Sequence, residues 1–264
     1  FLAPNYFQTH FFGLGLDVPY YYPIDDYQDL TIIPKFSQKK NPALFFEHRK
    51  NFINGELESE FSGTIENQKV NELKENKKRG HIKTRGSFDI NESTYLDFQV
   101  HRTTDRNYLN TYKYKYKDTL ETNLKLESFR ANNFYSFQSF LFQDLRQEFN
   151  RKNTPKILPR IRINLNSNSY NNNLNYNTDI EFANILRTDG NETKKLFLQQ
   201  KIDFPKFLKD GTLIKPSAYF NAGLYNIEKF HNPKTNSFEF DKIRTNFFPQ
   251  VSLEVSKPYY KKDR

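Results

Sequence analysis

The residues whose type and placement could do something specific in this sequence are prolines and cations, not nucleophiles or acid–base pairs. Pro4 lies in a strand-like run over residues 1–9. Pro19 lies in a second, over residues 12–22, and is followed by Tyr20, Tyr21 and Tyr22. A third run, residues 27–36, carries Pro34. Proline has no N–H to give a β ladder, so strands that bear it tend to be edges, bulges or weak seams. Pro4 and Pro19 therefore mark either a seam that can open or simply the starts of strands. Lys35, Arg160 and Arg162 sit on polar faces of their runs, where cations would line a wet channel wall or attract phosphate groups.

Other chemistry finds no constellation to carry it. Cys is absent, so there is no disulfide framework and no thiolate metal site. His10, His48, His81, His101 and His231 are scattered and never spaced as a helical metal pair. There is no Gly-x-Ser-x-Gly elbow and no Walker loop. Asp25 and Asp26 read as a solvated turn. The chain is not expected to be an enzyme or to hold a cofactor. Its net charge of +9 is spread along the chain instead of gathering in one patch, which argues against nucleic acid as a partner.

The elements that would position these residues are strands. Mean hydropathy is −0.87, which alone would suggest disorder, but an aromatic content of 17% argues for a folded chain. No run of about 18 apolar residues exists, so no transmembrane helix is predicted. Alternation with period two recurs instead. In residues 55–66, Leu57, Phe61 and Ile65 share a face with Ser59 and Gly63, opposite Glu56, Glu58, Glu60, Ser62 and Thr64. Three carboxylates on one face suit water and not a protein core. Residues 93–102, 160–166, 195–204 and 249–256 alternate in the same way, and residues 134–147 read as strand, not helix. Convincing helical periodicity is absent throughout.

Connections are expected at 51–55, 67–80, 150–155, 188–193, 209–211 and 231–236, and the Asn-rich stretch 167–177 hides its strand edges. The tally is about a dozen strands of roughly ten residues, the length that crosses a bilayer at a tilt.

The predicted fold class is all-β, an antiparallel transmembrane β-barrel of outer-membrane type. One face of each run is apolar with small residues interspersed, and the other is heavily ionised. A lipid-facing band around a wet lumen divides residues in this way. Tyr20 to Tyr22, Phe45 and Phe46, Phe247 and Phe248, and Tyr259 and Tyr260 fit interfacial aromatic girdles. A soluble solenoid or sandwich remains the other reading of the same alternation. With no Met, Phe1 is not a translation start, and residues 1–264 are expected to be one domain, a partial barrel cut from a longer protein.

The order of motifs resembles the barrel of the lipopolysaccharide-assembly family LptD, also called the organic solvent tolerance protein family. Phe1-Leu2-Ala3-Pro4 resembles the start of that barrel. Fifteen residues on from Pro4, Val18-Pro19-Tyr20-Tyr21-Tyr22-Pro23-Ile24 resembles the family's proline followed by aromatics. Asp29-Leu30-Thr31-Ile32-Ile33-Pro34 and Gly55-Glu56-Leu57-Glu58-Ser59-Glu60-Phe61 resemble its next strand and hairpin. Thr104-Asp105-Arg106-Asn107-Tyr108-Leu109 resembles a loop that normally reads Ser-Asp-x-x-Tyr. Phe142-Gln143-Asp144-Leu145, Leu158-Pro159-Arg160-Ile161 and Arg187-Thr188-Asp189-Gly190 follow in order.

The resemblance spans essentially the whole chain. It departs in lacking a periplasmic domain, the closing strands, and the cysteines the family often carries elsewhere.

The resemblance implies an outer-membrane translocon of a Gram-negative bacterium that places lipopolysaccharide in the outer leaflet. Sugars would pass through the lumen while acyl chains leave sideways between the first and last strands. Pro4 and Pro19 would then belong to a lateral gate, and Lys35, Arg160 and Arg162 would be luminal contacts for lipopolysaccharide. Implied partners are a plug lipoprotein of the LptE type and a periplasmic bridge protein of the LptA type. A porin or ligand-gated receptor would lack weak prolines in its first strands, and a soluble adhesion protein would fold without detergent.

Overall fold

The computed structural model describes residues 2–70, 73–148, 151–168, 174–232, 237–239 and 242–259. The strands are β1 (Asn5–Thr9), β2 (Gly13–Asp17), β3 (Tyr20–Asp25), β4 (Gln28–Ser37), β5 (Ala43–Phe52), β6 (Gly55–Val70), β7 (Leu73–Asn91), β8 (Thr94–Thr103), β9 (Thr119–Arg130) and β10 (Asn133–Asp144). They continue as β11 (Lys156–Asn168), β12 (Asn175–Leu186), β13 (Glu192–Asp203), β14 (Lys206–Phe207), β15 (Leu213–Glu228), β16 (Phe230–Asn232), β17 (Ser237–Glu239) and β18 (Lys242–Ser256). One helical turn, α1 (Tyr108–Thr111), lies between β8 and β9. The all-β antiparallel class expected from alternation is what the chain adopts.

The chain forms two compact units, Phe1–Lys125 with Phe140–Thr154, and Leu126–Ser139 with Pro155–Arg264. In the first, β1 pairs β2, β2 and β3 both pair β4, and β4 to β8 follow as neighbours. Two-residue turns join β3 to β4, β5 to β6 and β7 to β8 at one end of this sheet. At the other end lie the connections through residues 10–12, 38–42 and 104–118, and there β6 and β7 extend as a long hairpin paired out to Val70 and Leu73. In the second unit, β11, β12, β13, β15 and β18 pair in that order.

Burial is inverted relative to a protein that folds around oil. Phe36, Leu44, Phe61 and Ile65 are 40–48% exposed, and Val251 reaches 83%. Buried positions include Ser59, Ser62, Thr64, Glu66, Arg79, His81, His101 and Thr103. In water, so many exposed large side chains over several strands would be an aggregating surface. A sheet whose outer face meets lipid and whose inner face is polar has this arrangement by design. Successive side chains point to opposite faces, so the registers place Leu44, Gly63 and Gly80 on the outer face and Ala43, Thr64 and Arg79 on the inner.

Several sequence expectations need correction. Most of the connection expected at 67–80 is strand: β6 continues to Val70 and β7 starts at Leu73, pairing in register out to Val70–Leu73, with residues 71–72 outside the described residues. Backbone bonds between two strands are indifferent to charged side chains, so a Lys- and Glu-rich hairpin can continue as ladder beyond the apolar band. Several strands are therefore longer than ten residues, with 16 in β6 and 19 in β7. The connection expected at 188–193 ends earlier, because β13 begins at Glu192. Helical structure, not expected anywhere, occurs at α1 and as a 3-10 turn over Arg151–Asn153. Parts of the connections 150–155 and 231–236, part of 167–177, and Phe1 and Tyr260 lie outside the described residues.

Candidate functional site

Three prolines gather at one break that crosses two neighbouring seams: Pro4 and Pro34 stand level with Val18, on the β1 and β4 sides, and Pro19 is one residue further along. Pairing of β1 with β2 ends at Asn5–Asp17, with Pro4 and Val18 next along the two chains. The same chain then breaks at Val18 and Pro19 before resuming as β3. Both halves keep one register on β4, with Asp17 opposite Lys35 and Tyr20 opposite Ile32. Across this break Val18 donates its N–H to the Pro34 carbonyl at 3.1 Å. Leu2 donates to the Pro19 carbonyl, also at 3.1 Å. Neither Pro19 nor Pro34 has a donor to return. Pro4 and Pro19 thus flank the ladder instead of standing within it. Among the described residues β1 has β2 as its single partner.

Lys35 faces inward just beside this break. Its Nζ lies 2.8 Å from Asp17 Oδ1 and 4.2 Å from the centre of the Phe7 ring. Phe7 in turn lies over Gly15, where an added Cβ would come within 2.2 Å of the ring. The four residues form a compact inner wall for the first seam. A hollow of about 450 Å³ opens on them, walled by Phe7, Phe12, Ile33, Phe45 and Tyr114.

The loop of residues 104–118 covers the inner face at the long-loop end. Tyr108, Leu109 and Tyr112 are buried with Phe12, Ala43, Leu120 and Leu145. Polar contacts hold the loop to β6 and β7. Arg79 donates to both oxygens of Asp105, Nε at 2.7 Å and Nη2 at 2.8 Å, and its Nη1 donates to Glu66 at 2.8 Å. The Tyr112 hydroxyl donates to the same Glu66 oxygen at 3.1 Å. Ser62 Oγ sits 2.7 Å from the Tyr108 hydroxyl and also contacts His81 Nδ1.

Burial works to raise the Asp105 pKa, but the bonds and charge of Arg79, with the Asn107 N–H, outweigh it and hold the carboxyl below its ordinary value. Burial pushes the Tyr108, Tyr112 and Tyr114 hydroxyls upward, so they stay neutral. The polar face of β6 is therefore not wet along its whole length: Ser62, Thr64 and Glu66 are covered by this loop.

Arg160 and Arg162 belong to the second unit and project from the polar face of β11. The structure brings these two together on one carboxylate. Glu181 lies opposite Arg162, accepts from Arg160 Nη2 at 3.0 Å, and stands 3.8 Å from Arg162 Nε. Lys195 from β13 adds a third cation, 3.0 Å from Glu181. Asp179 lies 3.9 Å from Arg162. Lys35 is in the other unit and has its own partner, Asp17.

Sequence reasoning missed Arg79, Glu66, His81 and Tyr112. Their partners lie far along the chain, and the signal that touched this site was the Thr104–Leu109 motif, which holds Asp105 and Tyr108.

A family model described as LptD, LPS transport system D, matches residues 77–262. No curated protein matches the chain.

Proposed function

The chain belongs to the LptD family of outer-membrane lipopolysaccharide transport proteins, and on that premise we propose that it supplies the first strands of a translocon wall with a lateral gate. The sugars pass along the polar inner face, and the acyl chains leave sideways at the edge of β1. The long-loop end of the first unit faces outward and the two-residue turns face the periplasm, the usual asymmetry of outer-membrane barrels.

One observation supports the reading: the break at Pro4, Val18–Pro19 and Pro34 leaves donors missing in both the β1–β2 seam and the β2–β4 seam beside it. A ladder bond contributes about 1 kcal/mol net, so losing donors there weakens both seams without dissolving the sheet. Lys35, Arg160 and Arg162 are the luminal cations that meet lipopolysaccharide phosphates in passing. Since each already faces a carboxylate, the contact is an exchange of partners and not capture by a free charge. Partners of this reading are a plug lipoprotein of the LptE type and a periplasmic bridge of the LptA type.

The test is Pro19→Ala in the full-length protein in cells, which returns a donor to the seam. Slower appearance of new lipopolysaccharide at the surface, at equal protein level, is expected. An unchanged rate for Pro19→Ala and for a Pro4→Ala, Pro19→Ala pair would return the prolines to ordinary strand starts.

A further inference from the structure

The outer face of the first unit carries a groove that the gate reading does not use. Its floor is one row across the sheet: Pro34 pairs with Leu44, Leu44 with Gly63, and Gly63 with Gly80. The two glycines leave the row without side chains over half its width. On the turn side stands a ridge formed by Ile32, Phe46, Phe61 and Ile82, which also pair in sequence. On the loop side stand Phe36, and Ile65 paired with Lys78. The ridges are four residues apart along each strand, about 13 Å at roughly 3.3 Å per residue. A hydrocarbon chain in contact with both sides needs about 8 Å.

The resulting space is about 700 Å³, bounded by Phe36, Leu44, Phe46, Gly63, Ile65 and Lys78. Phe36, Leu44 and Ile65 are 44–48% exposed.

Two features say what fits. The walls are apolar and open onto the face that meets lipid. The far end is cationic: Lys78 is exposed on the loop-side ridge, and Arg102 stands opposite Ile82 at the end of the other. A neutral hydrocarbon would gain nothing from those charges, whereas a phosphorylated, acylated lipid meets both features at once. The near end starts at Pro34, in the same break as the first seam.

We infer that this groove is a docking site for one acyl chain of the lipid anchor of lipopolysaccharide, with an anchor phosphate at Lys78. This rests on the exporter reading and adds to it a first resting place on the outer wall. A chain leaving at β1 crosses two strands to reach Leu44, and the lipid is steadied there before it diffuses away. Gly63 matters because it keeps the floor low. A Cβ there would find only the Arg79 carbonyl, at 3.8 Å, so a larger side chain fits the sheet and fills the groove.

The test places a photo-crosslinking residue at Leu44 in the full-length protein in cells, with Leu196 on the outer face of β13 as comparison. Lipopolysaccharide adducts are expected to be stronger at Leu44. Lys78→Glu is expected to lower them about fivefold, the effect of one cation near an anionic lipid. Gly63→Leu should lower them at least as far, and Lys78→Glu serves alone where the glycine variant fails to assemble.

Equal adducts at Leu44 and Leu196, or adducts indifferent to Lys78→Glu, would overturn the groove. Phospholipid as the main adduct at Leu44 would overturn it as well. The exporter reading is judged separately at the β1 edge: transport-dependent adducts there, with none favoured at Leu44, would leave the gate standing and remove the groove.

Discussion

Val18 gives its N–H to the Pro34 carbonyl at 3.1 Å, and Pro34 has no N–H with which to complete the pair. The Val18 carbonyl thus faces a residue that cannot donate to it. Pro34→Ala supplies that donor. The gain of about 1 kcal/mol is partly offset by the greater freedom of the unfolded chain, so global stability should hardly move. Hydrogen exchange is the sensitive readout. The Val18 amide should exchange about fivefold more slowly, the factor that corresponds to one such bond. An unchanged rate would mean that the seam between β2 and β4 is not limited by this bond.

Gly15 lies under the Phe7 ring on the neighbouring strand. A Cβ would come 2.2 Å from Phe7 Cζ and 2.8 Å from the Phe36 carbonyl, a clash with side chain and backbone alike. Gly15→Ala should cost about 1–3 kcal/mol, felt mainly where β1 meets β2. Faster amide exchange in β1, with β5 to β7 unaffected, is the expected pattern. Uniform loosening of the sheet would contradict it.

Arg79 ties the loop of residues 104–118 to the wall. Its side chain is 8% exposed and that of Glu66 is 9% exposed. Arg79→Met leaves Glu66 and Asp105 without their cation, and losing one partner of a buried pair costs about 3–5 kcal/mol. Limited proteolysis should then cut within residues 104–118 while the strands stay protected. A loop that remains resistant would show that the Tyr108, Leu109 and Tyr112 packing suffices on its own.

The same latch has a pH dependence whose sign follows from Asp105. Its folded pKa is lowered, so its contribution is fully present above the ordinary carboxylate pKa of about 3.9 and disappears as pH falls through the lower folded value. Amide exchange in the loop should be flat, after correction for intrinsic rates, from neutral pH down to about 4. It should then rise in stronger acid, and Asp105→Asn should remove that acid-dependent step. A step near neutral pH would assign the switch to another group.

Glu181 gathers Arg160, Arg162 and Lys195. These pairs are partly exposed, so each contributes no more than about 1 kcal/mol. Glu181→Gln should therefore shift thermal unfolding little, while freeing cations on the polar face. Stronger binding of inorganic phosphate than in the parent protein is the expected outcome, and no change would show that the arginines turn to other partners.

The outer face was legible because lipid enforces strict alternation: Leu57, Phe61 and Ile65 could be assigned to one side from spacing alone. The weak first strands were legible because proline's missing donor is a property of the residue itself. The loop was only half legible. The motif at Thr104–Leu109 drew attention to Asp105 and Tyr108, but their anchors Arg79 and Ser62 lie 26 and 46 residues away.

The Lys- and Glu-rich stretch 67–80 resembled a connection because its composition matches that of loops. What makes it a hairpin is backbone pairing, which leaves no periodic trace once both faces are polar. Which carboxylate meets Arg160 and Arg162 depends on the register of β11 against β12, fixed by neighbours that the local sequence does not name.

The most direct test of the gate uses the full-length protein in cells, with a photo-crosslinking residue at Tyr6 in one strain and at Phe98 in another. Tyr6 is 72% exposed on β1, and Phe98 lies on β8, opposite Gly86 and away from the seam. A lateral gate bounded by β1 predicts lipopolysaccharide adducts at Tyr6 that vanish when transport is stopped, with little at Phe98. Equal adducts at both positions, or adducts at Tyr6 that persist without transport, would make the first strands ordinary barrel wall.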